Sequence, residues 1–269
     1  VERSDVLIAQ LSDLHVLPAG RLYQGRIDAN ARLAAAVDHL HGMARRPDLV
    51  LLTGDLVDDG SPAGYGVLRE LLAPLAMPWL AIPGNHDDRA HFRTAFADHA
   101  HLPAQGPLHY AVGGHPVRVI GLDSTVAGED HGLIDAAGLH WLAGTLAEDR
   151  HTPTLLMLHH PPFASGIAGM DACRLLDADA LADVVRQAPN VERVVCGHVH
   201  RAMWRRWAGT VACAAPSTAT EIALSLDAQA PGGFHAEPSA CLLHLWDDAH
   251  GLVTHVSRIG DRRETHAFV

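Results

Sequence analysis

Leu51-Leu52-Thr53-Gly54-Asp55 is an apolar run that stops abruptly at a glycine and a carboxylate. A run of this length reads as a fully buried strand, and the Gly-Asp after it as a loop that presents one acid at a sheet edge. Asp55 is therefore a candidate to touch two metal ions at once. Its two oxygens can each hold one cation, fixing a pair about 3.5–4 Å apart, the spacing used for in-line attack on phosphorus. A lone Gly-Asp after a strand is more often a plain turn, so its meaning rests on the other strand ends.

Those ends repeat the pattern. Val6 to Leu11 reads as a strand that runs into Ser12-Asp13-Leu14-His15, and Asp28 then caps a predicted helix whose apolar positions Leu33, Val37 and Leu40 share one face. Pro47 closes that region. After the strand Asp48 to Thr53, a helix is marked by Val67, Leu68, Leu71 and Leu72, and a strand from Trp79 to Ile82 leads into Pro83-Gly84-Asn85-His86-Asp87. Strand, helix, strand, helix is the rhythm of right-handed crossovers. Tyr110 to Val112 and Val117 to Leu122 flank Gly113-Gly114 and read as a hairpin, so the sheet should be mixed. Leu139, Leu142 and Leu146 mark a helix, Thr154 to Leu158 a strand running into His159-His160-Pro161-Pro162, and Phe163 to Cys173 a glycine-containing loop. Leu175 to Val185 reads as a helix, and Val191 to Cys196 as a strand ending at Gly197-His198-Val199-His200. Short strands follow at Ala202 to Trp207, Val211 to Ala214, Cys241 to Trp246 and Leu252 to Arg258. Gln229 to Pro238, with two prolines and two glycines, reads as an exposed excursion or subunit contact.

Composition narrows the partners. The 269 residues, 48% of them hydrophobic, suffice for a single compact domain. A net charge of −11 with 20 Lys+Arg argues against a nucleic-acid surface, because that affinity rests on cations meeting phosphates. No apolar run approaches the roughly 20 residues needed to span a bilayer, and Val1-Glu2-Arg3-Ser4-Asp5 lacks the order of a secretory signal. A cytoplasmic location is the resulting expectation. Cys173, Cys196, Cys213 and Cys241 are widely spaced without a C-x-x-C pair, which predicts reduced, buried thiols. With 21 histidines in the chain, no single His can be promoted on identity alone.

The constellation is what carries the chemistry. Asp13 with His15, Asp55, Asn85 with His86, His159, and His198 with His200 each follow an apolar strand directly, and ligands in open sheets bind at the carboxyl ends of strands. Oxygen and imidazole donors without thiolate suit Mn, Fe, Co or Zn. Alternation along an extended segment would turn both members of Asp13-x-His15 and of His198-x-His200 to one side. Asn85 supplies a neutral oxygen, so two divalent cations set against Asp13 and Asp55 keep about two positive charges for an anionic phosphoester.

Asp13-x-His15, Gly54-Asp55, Gly84-Asn85-His86-Asp87, His159-x-Pro161 and Gly197-His198-x-His200 together resemble the ordered motif set of the calcineurin-like metallophosphoesterase superfamily, over residues 12 to 200. The resemblance implies an α/β fold: a four-layer α/β/β/α sandwich of two mixed sheets flanked by helices. A small C-terminal β-rich cap or dimerisation segment would lie within residues 211–240. It also implies two divalent or mixed-valence transition-metal ions. One would be held by Asp13, His15, Asp55 and His200, the other by Asp55, Asn85, His159 and His198. His86 would be catalytic, contacting the phosphoryl oxygens and protonating the leaving group. Tyr23-Gln24-Gly25-Arg26-Ile27-Asp28, Gly166 to Asp171 and Pro216-Ser217-Thr218-Ala219 resemble the bacterial glycerophosphodiesterase and class III cyclic nucleotide phosphodiesterase branch. That branch implies a small-molecule phosphodiester substrate and a homo-oligomer. Such relatives carry His-Gln where this chain has Thr220-Glu221, and a carboxylate at Glu221 is expected to repel a second substrate charge.

Plainer readings apply elsewhere. His160 should point away from the cluster and pack or support it, Asp87 and Asp58 should orient neighbours or cap turns, and Asp123 reads equally as a turn residue or a support for the ligands. His39, His41, His99, His101 and His151 are expected to be solvated, and Trp204 and Trp207 to pack in the core. Phe163 and Met170 either line a substrate pocket or pin the loop that carries them. The rival functions are a phosphomonoesterase, a binding scaffold without catalysis, and a nuclease. Asp58-Asp59-Gly60 and Gly84-Asn85-His86-Asp87 depart from the protein serine/threonine phosphatase pattern, the full ligand set argues against a scaffold, and the acidic balance argues against a nuclease.

Overall fold

In the computed structural model, residues 5–229, 231–236, 239–260 and 266 are described. The leader reading of residues 1–4, and Ala230, Glu237 and Pro238 of the predicted excursion, lie outside the described residues.

Alternation along the first strands sets up the layers. In β1 (Asp5–Leu11), Val6 and Ile8 face one way and Ala9 and Leu11 the other, and all four are buried, so this strand must be covered on both sides. β2 (Leu49–Thr53) and β3 (Trp79–Ile82) continue the sheet in parallel, joined through α1 (Ala29–Gly42) and α2 (Pro62–Leu72). Asp28 caps α1 by accepting from the Ala31 N–H, as its sequence position predicts, and Ser61 caps α2 through Gly64 N–H. A further helix, α3 (Arg89–Ala95), capped by Asp88, follows β3.

The second half builds its own sheet. β4 (Tyr110–Val112) and β5 (Arg118–Leu122) form the expected antiparallel hairpin. β6 (Thr154–Leu158) and β7 (Val191–Cys196) add in parallel, reached through α4 (Ala136–Glu148), the short α5 (Ala168–Ala172) and α6 (Ala178–Val185). β8 (Met203–Trp207) and β9 (Thr210–Ala214) complete it in the order β4-β5-β6-β7-β9-β8. The two-stranded ribbon β10 (Glu221–Ile222) and β11 (Phe234–His235) follows. The chain then returns to the first sheet as β12 (Ala240–Asp247) and β13 (Gly251–Arg258), giving β13-β12-β1-β2-β3.

Three apolar clusters define four layers. Ile8, Leu51 and Ile82 of the first sheet meet Val119, Met157 and Val195 of the second. Leu33, Leu40, Leu68 and Phe92 cover the outer face of the first sheet, and Leu142, Leu146, Leu181 and Val185 that of the second. This is the expected α/β/β/α sandwich of two mixed sheets, with face-to-face packing fixing how the strand ends of the two sheets approach each other. Among the described residues no helix is long and apolar enough to cross a membrane.

Some expectations need correction. Leu175 lies outside α6, its amide bonded to Pro161 O, and the glycine-containing loop holds α5. His99 packs against Trp79 and Phe96 and His101 against Tyr110, so these two are not simply solvated. Trp207 packs partly on the second helical layer, whereas Trp204 lies on an edge strand and is half-exposed. Phe163 is buried and pins its loop. All four cysteines are free; Cys196, Cys213 and Cys241 are buried and Cys173 is partly exposed. An alkylating reagent should therefore modify one thiol in the folded protein and the other three only after unfolding, a pattern read by mass spectrometry of the digested chain.

Candidate metal centre

The loops after β1, β2, β3, β6 and β7 meet at one edge of the sandwich. Asp13 N–H donates to Gly54 O (3.1 Å) and His15 N–H to Asp55 O (3.0 Å), so the first two loops run side by side beyond their strands. Gly197 N–H donates to His159 O (3.0 Å) within the second sheet, and His198 N–H donates to the Asp13 carboxylate (3.0 and 3.1 Å), tying the second sheet to the first. Asp13, His15, Asp55 and His200 bring their ligand atoms within 4.8 Å of one another, all buried. Beside them, Asn85 Oδ1 lies 3.2 Å from His159 Nε2 and 3.1 Å from His198 Nδ1, and Asp55 Oδ2 lies 3.3 Å from His159 Nε2. All seven donors singled out from sequence thus converge, in two groups that share Asp55.

Two details differ from the sequence reading. Asp13, His15, Asp55, His198 and His200 all have positive φ, between +46° and +69°. The Asp-x-His and His-x-His pairs therefore converge through left-handed turns rather than through strand alternation, a conformation costly for non-glycine residues and concentrated at functional sites. The two oxygens of Asp55 are also unequal. Oδ1 accepts from His86 N–H (2.9 Å), while Oδ2 faces both groups, 3.3 Å from His159 Nε2 and 3.8 Å from His15 Nε2.

The donor set fits transition-metal cations. His15 Nε2 and His200 Nε2 lie 3.1 Å apart inside the protein with carboxylates around them, an arrangement of lone pairs that a shared cation satisfies. The outward nitrogens are committed elsewhere. His15 Nδ1 meets Asp58 Oδ1 (3.1 Å), and His159 Nδ1 donates to Thr53 O (2.8 Å), leaving each Nε2 for the centre. His198 turns Nε2 to Cys173 Sγ (3.2 Å), leaving Nδ1. Glycine makes the close approach possible: a Cβ on Gly54 would overlap the His159 ring, and one on Gly197 would overlap Ser12 Oγ and Asp13.

Electrostatics reflect the crowding. Burial alone would push the Asp55 carboxyl up, but His159, His86 and His15 hold it well below the usual range. Burial works against charge on His159 too, yet Asp55 raises it to about 9, while burial and the neighbouring His159 lower His198 to about 3. Burial opposes charge on His86, and Asp55 with the Asp58 carbonyl outweighs it, so this ring lies above the usual imidazole value.

The supporting residues sort cleanly. His160 Nε2–H donates to Asp130 O (3.2 Å) and its Nδ1 pairs with Ser124 Oγ (2.8 Å), so both nitrogens are used and it stands behind His159. Asp87 accepts from Gly84 N, Leu56 N and Tyr65 Oη, fixing the turn that carries Asn85. Asp123 pairs with Arg89 (2.5 Å) and supports the loop beside the centre, not the donors themselves. Glu221 is paired with Arg201 (3.0 Å), so its carboxylate does not stand alone as the sequence suggested. Tyr23, noted in the sequence only as part of a family motif, has its ring 4.5 Å from that of His15. Arg201 and Arg89 were not singled out; their partners Glu221 and Asp123 lie 20 and 34 positions away and leave no local signal.

A two-sheet sandwich with such a donor set at its strand ends defines the metal-dependent phosphoesterase class. The chain belongs to the calcineurin-like phosphoesterase family, whose model matches residues 6–202. It is 33% identical to the "Probable glycerophosphodiester phosphodiesterase GpdQ" of Arcobacter nitrofigilis over 98% of this chain and 97% of that protein. It is also 33% identical to a cAMP/cGMP dual specificity phosphodiesterase of Mycobacterium tuberculosis, over 99% of this chain and 84% of that one. Among solved structures, a dimetal phosphatase from Danio rerio shares the fold with a TM-score of 0.66 at 15% identity, covering 95% of this chain and 99% of that one.

Proposed function

We propose that the chain hydrolyses small-molecule phosphodiesters at a centre of two transition-metal ions. Asp13, His15, Asp55 and His200 hold one ion and Asp55, Asn85, His159 and His198 the other. The observation that carries this reading is the convergence of seven donors into two groups joined by one carboxylate oxygen. When bound, two such cations bring the pKa of water toward neutrality and offset charge on the reacting phosphoryl oxygens. The chain's own side chains do the rest. Asn85 completes its group without adding charge, so the centre stays attractive to an anionic diester. His86 Nδ1–H donates to Asp58 O (2.7 Å), which fixes the ring and leaves Nε2 to meet the phosphoryl group and give a proton to the departing alcohol.

Glycerophosphodiesters and cyclic nucleotides are the substrate classes favoured by the names of the relatives, and a panel of both, run beside the matched monoesters, tests the reading. Preference for monoesters would overturn it. His86→Gln should lower kcat by about 10²-fold or more on diesters with alkyl leaving groups, and less on p-nitrophenyl esters, whose leaving group needs no proton. Equal losses on both would remove His86 from the proton-donor role.

The whole chain serves as one domain in this reading, with 211–240 as its cap or its contact with a second copy. The ribbon of β10 and β11 supports that: Phe234 lies 6.3 Å from Tyr23 at the centre's lip, and Leu224 and Leu226 are exposed beside it.

A further inference from the structure

The Pro216-Ser217-Thr218-Ala219-Thr220 segment takes no part in the chemistry above, yet it is bound tightly to the donors. Ser217 Oγ donates to Asp13 O (2.7 Å) and accepts from Ala219 N–H (2.8 Å) and Thr220 N–H (3.1 Å). Thr218 N–H donates to Ser12 O (3.1 Å). The segment is thus a turn organised by one serine hydroxyl and docked on the backbone of the first donor. At its far end, Thr220 Oγ1 lies 3.1 Å from His200 Nδ1, with Thr220 only 3% exposed.

The donor roles follow from geometry. His200 Nε2 points inward, 3.1 Å from His15 Nε2 and 3.4 Å from Asp13 Oδ1. A cation held there takes the Nε2 lone pair, so the ring proton must sit on Nδ1, where Thr220 Oγ1 is the acceptor within reach. An imidazole so tethered is fixed in tautomer and in ring orientation, as ligating histidines require. Without the hydroxyl, a buried N–H would lose its partner.

We infer that Thr220 is a positioning residue for His200, and that the Ser217–Thr220 turn locks together the first and last donors of one cation, Asp13 and His200. The inference rests on the proposed assignment of those donors to one ion. It gives a role to a position where this chain departs from the His-Gln of similar sequences: the side chain at 220 serves a ligand.

The test is equilibrium dialysis of the metal-stripped full chain against Mn²⁺, comparing wild type, Thr220→Val, which keeps shape and removes the hydroxyl, and Thr220→Ser, which keeps the hydroxyl. Wild type should bind two ions. Thr220→Val should bind one of them about 10-fold or more weakly, within the range known for partners of ligating histidines, with the other unchanged. Thr220→Ser should match wild type, and Thr220→Val should regain most of its kcat at saturating Mn²⁺. If wild type binds no Mn²⁺, the reading of the centre fails and this inference with it. If wild type binds two ions and Thr220→Val binds them equally well, the inference alone is overturned, as it is if Thr220→Ser loses as much as Thr220→Val. Should Thr220→Val not fold, Thr220→Ala replaces it in the same comparison.

Discussion

Asp55→Ala should lower the hydrolysis of bis(p-nitrophenyl) phosphate by at least about 10³-fold, because it removes the one group common to both proposed cation sites. The physical reasons compound. Asp55 is buried, its Oδ2 lies between His159 and His15, and its Oδ1 accepts the backbone N–H of His86. Alanine would therefore take a ligand from each ion, unpair two buried imidazoles and release the turn that carries the proposed proton donor. Loss of cation stabilisation is worth several kcal/mol at the transition state, and each 1.36 kcal/mol is a factor of ten in rate. The conservative Asp55→Asn keeps an oxygen but loses the charge, and should fall between the two. A rate for Asp55→Ala within tenfold of wild type would remove Asp55 from the mechanism.

Gly84→Ala should be nearly as damaging although Gly84 itself supplies no donor atom. A Cβ at Gly84 would overlap both Asp55 Oδ1 and the Asp55 backbone nitrogen. A side chain could rotate away, but the backbone nitrogen cannot, so the loop carrying Asp55 must move relative to the loop carrying Asn85. Sub-ångström placement is what the shared carboxylate depends on, and a loss of about 10²-fold in activity is expected from a misplacement of this kind. The cost in stability should stay near the 1–3 kcal/mol typical of overpacking, so the variant should fold. Gly144→Ala is the matching control. That glycine lies in α4 with open space where its Cβ would sit, and the exchange should be neutral or slightly stabilising in thermal unfolding and silent in activity.

Much of this site could be read before any coordinates, and the reason is physical. Buried parallel strands must be apolar throughout, so Leu49–Thr53, Thr154–Leu158 and the end of Val191–Cys196 stand out, and whatever polar residue follows them is placed at the sheet edge. The candidate donors were therefore legible as residue types at strand ends. How the ligands converge was not. Propensity gives no warning that Asp13, His15, Asp55, His198 and His200 adopt left-handed backbone, because that conformation is imposed by tertiary hydrogen bonds such as Asp13 N to Gly54 O. Nor does the local pattern announce α3, whose seven residues are too few for a clear period.

The partition of strands between two sheets came only from the family resemblance. β12 pairs with β1 across more than two hundred residues, and no rule of sequential neighbours predicts that. The pairing of Glu221 with Arg201, twenty positions apart and off any helical spacing, was hidden too, so Glu221 was read as a lone carboxylate. His99 and His101 were misread for a related cause: histidine abundance hides which rings the aromatic cluster around Trp79, Phe96 and Tyr110 has taken up.

The central claim is that seven side chains hold a pair of cations without which no diester is cleaved. Titrating the metal-stripped chain with Mn²⁺ while following bis(p-nitrophenyl) phosphate hydrolysis tests it most directly. Activity should be absent from the stripped protein and reach its plateau as the second ion binds. Full turnover by the stripped protein, or a plateau reached with fewer than two ions bound, would contradict it.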